Sequence, residues 1–269
     1  MGGAGHHRIA GAITFAGMVF LIAPLLVVVL FSFQGGQGLT FPIEGLSFRW
    51  YSATFSDPEV QESLKLSLLV AFIEAGTTLV LGTATAYAIT RMNSRLRTPL
   101  SVLYLLPLAV PALIIGTALL SLVTAIGITQ GLVTILIGQL ILTLPIFIIL
   151  ARIAFERLDP ALEESAADLG ASAWTAFRRV TLPQVLPTII GATAVCFMLS
   201  FDEFFITFLV AGSEQTIPLL IFARMRTTIT PTINVISTML LLATLLVFVA
   251  AWALSARAAR RRGQALELA

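Results

Sequence analysis

Charge is scarce in this chain. Only 11% of its 269 residues are Asp, Glu, Lys or Arg, while 58% are hydrophobic, and mean hydropathy is +0.98. A water-soluble domain of this size needs far more polar surface, so the composition excludes one and makes lipid the main solvent. Cysteine is nearly absent: Cys196 stands alone inside an apolar run, which excludes a disulfide framework and a thiolate metal site. Histidine occurs only as His6 and His7, in a polar tail ahead of the first apolar run. That removes serine–histidine intramembrane proteolysis and histidine-ligated metal from the spans. The sole lysine, Lys65, follows Leu64, so the chain lacks the Gly-Lys-Ser/Thr ending of a phosphate-binding loop. A paired-aspartate protease fails as well, because Asp202 is the lone aspartate within the apolar segments. No catalytic residue, metal or cofactor is expected, and the chain does not read as an enzyme.

What the chain has in quantity is long apolar runs. A helix rises about 1.5 Å per residue and the hydrocarbon layer is about 30 Å thick, so about 20 apolar residues cross it. Six runs qualify: Ile9–Phe33, Leu66–Thr90, Leu100–Ile126, Gly131–Ala151, Val185–Ala211 and Ile233–Leu254. The first is longer than the roughly 7–15 apolar residues of a cleaved signal core, so it reads as a retained span. Gly127–Gln130 makes a tight hairpin of the third and fourth. The fold class is therefore an all-α, six-span membrane protein.

Basic residues orient it. Arg8, Arg91, Arg95, Arg97, Arg152, Arg157, Arg178, Arg179, Arg257, Arg260, Arg261 and Arg262 fall on one side, against Arg49, Lys65, Arg224 and Arg226 on the other. The positive-inside rule then places both termini and the 152–184 loop in the cytoplasm. The layout is a tail and first span (1–33), a periplasmic loop (34–65), a five-span core (66–254) and a basic cytoplasmic tail (255–269). In the outer loop Phe48-Arg49-Trp50-Tyr51 reads as an interfacial anchor rather than a docking site. Segment Thr216–Pro231 has room for one interfacial helical turn or two.

A charged island, DPALEESAADLGASAWTAFRRVTLPQVLP, spans Asp159 to Pro187. Asp159 can cap a helix that opens with Pro160, and Glu163 and Glu164 suit its positive end. Leu162, Ala166 and Leu169 share one face, and Gly170 supplies the left-handed stop. A second short helix follows, capped by Ser172, with Trp174, Phe177 and Val180 on its apolar side and Arg178-Arg179 closing it before Pro183. Alanines crowd the first helix, and small side chains suit close docking in a protein groove better than insertion among lipid headgroups.

Glu164-Ser165-Ala166, Gly170 and Val180-Thr181-Leu182-Pro183 resemble the EAA motif of permease subunits of binding-protein-dependent ABC importers. Spacing matches throughout, with Ser165 for the first Ala and Val180 for Ile. The likeness runs from about Trp50 to Trp252. Ser200-Phe201-Asp202-Glu203-Phe204, then Gly212, Ile217-Pro218-Leu219, Pro231 and Asn234, is most similar to the PotC-type permease of spermidine/putrescine importers. The resemblance implies a type I importer permease fold in a bacterial inner membrane. It implies two cytoplasmic ATPase subunits, a homologous partner permease and a periplasmic binding protein. It assigns ATPase coupling to Glu164, Ser165, Ala166, Gly170, Leu182 and Pro183, with Gly170 making the turn of a coupling helix.

Glu74, Asp202 and Glu203 lie in the predicted spans with no Lys or Arg beside them. Intramembrane carboxylates are costly and default to function. Glu74 and Glu203 are each 8 residues from the outer end of their expected spans, about 12 Å deep. They read as lining a route for a cationic solute, or else as bonded to neighbouring helices. Pro107 and Pro111 break backbone bonding in mid-span, as at a cavity or gate or in a packing kink. Ala112 stands where PotC-like permeases often carry an acid, which weakens the polyamine assignment without touching the importer assignment, and cationic polyamines stay the leading substrate class that the resemblance implies. An ion-coupled secondary transporter and a non-transporting scaffold are the rival readings. The first leaves the island unexplained, and the second needs no interior carboxylates.

Overall fold

A computed structural model of the chain describes residues 3–38, 41–92, 95–227 and 230–267, and side chains from 10 to 257 within those ranges. Regular structure among the described residues is helical, apart from an isolated bridge between Gln34 and Leu46. Among the described residues five single helices are long and apolar enough to cross a membrane, and a bent pair of helices makes a sixth if its two limbs count as one span. The chain divides into two compact units, Met1–Gln61 with Leu220–Ala243 and Glu62–Leu219 with Thr244–Ala269.

In the first unit, α1 (Gly3–Ser32) leads into a folded loop and α2 (Arg49–Phe55). The Ser32 and Tyr51 hydroxyls lie 2.7 Å apart, and the rings of Phe33, Phe48 and Tyr51 pack together. The Trp50 indole donates to the Gly36 carbonyl at 3.2 Å. The side chains of His6, His7, Arg8 and Arg260–Arg262 lie outside the described residues.

Helix α3 (Pro58–Thr77) begins eight residues before the expected Leu66. Asp57 accepts from the Glu59 amide at 3.0 Å, and Pro58 gives up no bond at a first helical position, so Asp57-Pro58-Glu59 starts the helix inside the expected outer loop. A π-turn at Thr78–Gly82 leads into α4 (Thr83–Arg91), making one rod from 58 to 91.

The third expected span is not a single helix. Helix α5 (Arg97–Leu105) and a 3₁₀ turn (Leu106–Ala109) meet α6 (Ala112–Ala125) at 98°. The residue before a proline is forced out of helical geometry, and Val110 is accordingly extended (φ −104°, ψ 130°). Pro111 follows at ψ 137°. Two prolines four apart thus produce a corner rather than a kink.

Helix α7 (Leu132–Glu156) follows the Gly127 turn, whose φ is +75°. Next come α8 (Ala161–Asp168) and α9 (Ala173–Ala176), and here the expected second short helix is corrected. It does not close before Pro183. A π-turn at Phe177–Thr181 carries it straight into α10 (Leu182–Phe201). Pro183 would clash with the Arg179 carbonyl in regular α geometry, and the wider π-turn relieves that contact.

The fifth span, expected to reach Ala211 unbroken, stops at Phe201. Helix α11 (Phe205–Val210) restarts after a break at 202–204. Helix α12 (Ile217–Thr227) has eleven residues, about three turns rather than one or two, and α13 (Pro231–Glu267) is the last helix.

Two apolar clusters hold the second unit. Phe147, Ile148, Ala151 and Phe155 of α7 pack on Val185, Ile189, Ala192 and Cys196 of α10 and on Ala86 of α4. Ile115, Leu119 and Val123 of α6 pack with Ile135 of α7, Ile206 and Val210 of α11, and Val70.

Candidate functional site

The island is built as a helix, a turn and a root. The Asp159 carboxylate accepts from the Ala161 amide at 3.0 Å, starting α8. Gly170 ends it at φ +85°. The Gly170 amide bonds to Ala167 O at 2.8 Å and the Ala171 amide to Ala166 O at 3.0 Å, the paired bonds of a Schellman stop. Ser172 then caps α9 by accepting from the Thr175 amide at 3.3 Å.

The motif residues face outward. Glu164, Ser165, Gly170 and Pro183 are exposed, and Ala166 and Leu182 are half-buried. Leu169 and Trp174 are 89% and 67% exposed, and α8 buries none of its side chains. Leu162, Leu169 and Trp174 thus leave an apolar face uncovered among the described residues.

Glu163, which the sequence marks only as a favourable first-turn acid, turns the other way. Its carboxylate takes two bonds from the Arg91 guanidinium, Nε to Oε2 at 3.0 Å and Nη2 to Oε1 at 2.9 Å. The Tyr87 hydroxyl donates to Oε2 at 3.3 Å, and the Thr181 hydroxyl donates to Oε1. Burial alone would raise this carboxyl's pKa. The Arg91 and Thr181 hydrogen bonds and the Arg91 charge outweigh it and hold the group below its ordinary range. A carboxyl whose folded pKa is depressed stabilises the fold fully above its unfolded pKa, and loses that contribution as pH falls through the folded value. Glu163→Gln should therefore melt below the parent protein at neutral pH, with the gap closing only below about pH 4. A melting series across pH checks this, and a gap that closes near pH 7 contradicts it.

The membrane carboxylates sort into different roles. Glu74 is 1% exposed, and Thr143 of α7 donates to its Oε2 at 3.0 Å. Glu203 accepts from the Ile206 amide at 2.8 Å, the Thr207 amide at 2.9 Å and the Thr207 hydroxyl at 2.7 Å. It is the cap of α11. Gln139 of α7 completes the seam: its amide donates to Thr207 Oγ1 at 3.0 Å, and its carbonyl accepts from Ser200 Oγ at 2.5 Å. Asp202, at the end of α10, is exposed. The structure thus brings Glu74 and Glu203 into one polar seam through Thr143, Gln139 and Thr207, and leaves Asp202 facing out. Pro107 stands apart, at the 98° corner, lining an apolar cavity of ≈ 370 Å³ with Val110, Ile114 and Ala118. Cys196 is fully buried, 3.5 Å from the Thr143 carbonyl.

Sequence reasoning missed Glu163, Arg91, Gln139 and Thr143. A Gln and a Thr four apart in an apolar run were the available signal for the last two.

The profile described as "Binding-protein-dependent transport system inner membrane component" matches residues 78–262, which includes α8, the corner and every member of the seam except Glu74. The chain belongs to this family. It is a multi-pass inner-membrane component of a transport system, not an enzyme. Among similar members is the putrescine transport system permease protein PotI of Escherichia coli K12, 32% identical over 255 residues, covering 91% of this chain and 90% of that protein. The spermidine/putrescine transport system permease protein PotC of Haemophilus influenzae is 28% identical over 236 residues, covering 87% and 91%. In fold, the chain resembles a component of a bacterial ABC transporter that imports the acidic polysaccharide alginate. The TM-score is 0.74 at 15% identity, covering 94% of this chain and 96% of that one. A family permease accounts for the features a secondary transporter leaves over, namely a helix outside the spans with a bare apolar face.

Proposed function

We propose that this permease forms half of a pore in an ATP-driven importer, with both termini and α8 in the cytoplasm and the 34–65 loop in the periplasm. The segments 1–33, 34–65, 66–254 and 255–269 then serve as anchor, outer loop, core and basic tail. A homologous permease supplies the other half, two ATPase subunits dock at the coupling helices, and a periplasmic binding protein delivers solute. One observation carries the reading. Helix α8 presents Glu164, Ser165 and Leu169 to the outside while its opposite side is tied down by Glu163. Co-purification with a co-expressed importer ATPase tests it. Gly170→Arg puts a long side chain on a residue held at φ +85° and should abolish recovery of the ATPase at unchanged permease level. Equal recovery with and without the substitution sinks the docking reading, and solute accumulation by this chain alone, without nucleotide, sinks the importer.

The solute we propose is a cationic polyamine. PotI and PotC carry putrescine and spermidine/putrescine in their names, and Asp202 offers the exposed carboxylate of the three. Glu74 and Glu203, held by partners inside the fold, shape the route around it, and the Pro107–Pro111 corner is its hinge. Asp202→Asn should reduce putrescine uptake about tenfold, the scale of one lost charge-assisted contact. Unchanged uptake removes Asp202 from the route while leaving the docking result intact.

A further inference from the structure

Helix α8 has no buried side chain of its own to carry force into the membrane. A lever needs a stiff connection, and here that connection is polar. Arg91 is the last residue of the rod that runs from 58 to 91. Thr181 closes the π-turn inside the rod that runs from 173 to 201. Glu163 holds both, using one oxygen for Arg91 Nη2 and Thr181 and the other for Arg91 Nε and Tyr87. The Tyr87 ring in turn packs on Phe155 of α7 at 5.5 Å and on Phe177 at 4.8 Å. A forked guanidinium–carboxylate pair fixes orientation as well as distance. The side chains of Arg91 and Glu163 are 21% and 19% exposed, so solvent screens them less than a surface pair. Beside this joint lies an apolar cleft of ≈ 710 Å³ bordered by Val80, Thr83, Tyr87, Trp174 and Phe177.

We infer that Glu163 is the positioning residue that passes motion of α8 to two membrane helices at once, as a single joint gripping Arg91 and Thr181. The inference rests on the docking reading of α8 and adds to it a division of labour. Outward residues hold the ATPase, and the inward carboxylate transmits. Losing the carboxylate leaves the ATPase bound and active but disconnected from the gate.

The test uses the complete transporter in proteoliposomes, with Glu163→Gln, Arg91→Gln, Thr181→Val and the double Glu163→Gln/Arg91→Gln. The readout is solute taken up per ATP hydrolysed, measured on complexes purified to the same amount of folded permease and below the melting temperature of every variant. Glu163→Gln should lower it about tenfold, within the range of one coupling interaction, with the ATPase co-purifying as in the parent. Arg91→Gln and Thr181→Val should each lower it, and the double variant should be no worse than Glu163→Gln, because one joint is lost only once. An unchanged ratio in Glu163→Gln overturns the inference, as does a double variant whose losses multiply. Loss of the ATPase on Glu163→Gln also overturns it, by moving Glu163 to the docking face. Failure of the unsubstituted permease to retain an ATPase is a different result and strikes the docking reading instead.

Discussion

Gly82→Ala should destabilise the folded permease by about 3 kcal/mol, the upper part of the range for overpacking a filled core. A Cβ on Gly82 would stand 2.3 Å from Cδ1 and 3.0 Å from Cγ of Phe147. Phe147 is completely buried in the α7–α10 cluster, so its ring cannot swing aside without displacing neighbours. The contact also falls in the π-turn at Thr78–Gly82. Thermal melting in detergent measures the cost. Gly82→Ala combined with Phe147→Leu should melt higher than Gly82→Ala alone, because the shorter side chain vacates the clash. Gly76 is the control, since a Cβ there meets nothing within 4 Å. Gly76→Ala should be neutral or stabilising by up to about 1 kcal/mol, the helix-propensity difference. Equal effects at positions 76 and 82 would overturn the packing account.

Glu203→Ala should do damage of similar size, and Glu203→Gln much less. The carboxylate satisfies two backbone amides and one hydroxyl at the start of α11. Removing it strands those donors where water is scarce, at about 1–3 kcal/mol for each buried group left unmade. Glutamine keeps an acceptor oxygen and so keeps part of the cap. The pair of variants separates the two roles open to this residue. If the cap is what matters, uptake survives in Glu203→Gln and fails in Glu203→Ala. If the negative charge meets solute, both fail alike. Uptake assays at matched protein level decide between them, and we expect the first pattern.

Much of the architecture can be read from residue order alone. Apolar runs locate the crossings, Gly170 and Ser172 mark the island's turn and cap, and the prolines at 107 and 111 mark the corner, though not its sharpness. The remainder depended on contacts no local pattern carries. Glu163 and Arg91 are 72 positions apart, so the first looked like a dipole-compensating acid and the second like one more inward-side arginine. Thr181 became the third member because a π-turn lets the helix run through Pro183, where a proline ordinarily signals a stop. Glu203 has Thr207 four residues on, the spacing that lets a carboxylate cap the next turn, yet inside an apolar run its charge drew attention before its geometry. Burial, too, separates Glu74 from Asp202 in a way that residue type cannot.

The 98° corner carries a consequence for the surrounding lipid. The limb from Arg97 to Ala109 has 13 residues and that from Ala112 to Ala125 has 14, each about 20 Å long, while the acyl layer measures about 30 Å. Neither arm alone reaches from one leaflet face to the other, so a crossing here needs depth from both limbs. This segment should consequently respond to acyl-chain length more strongly than the straight helices, each of which is long enough by itself.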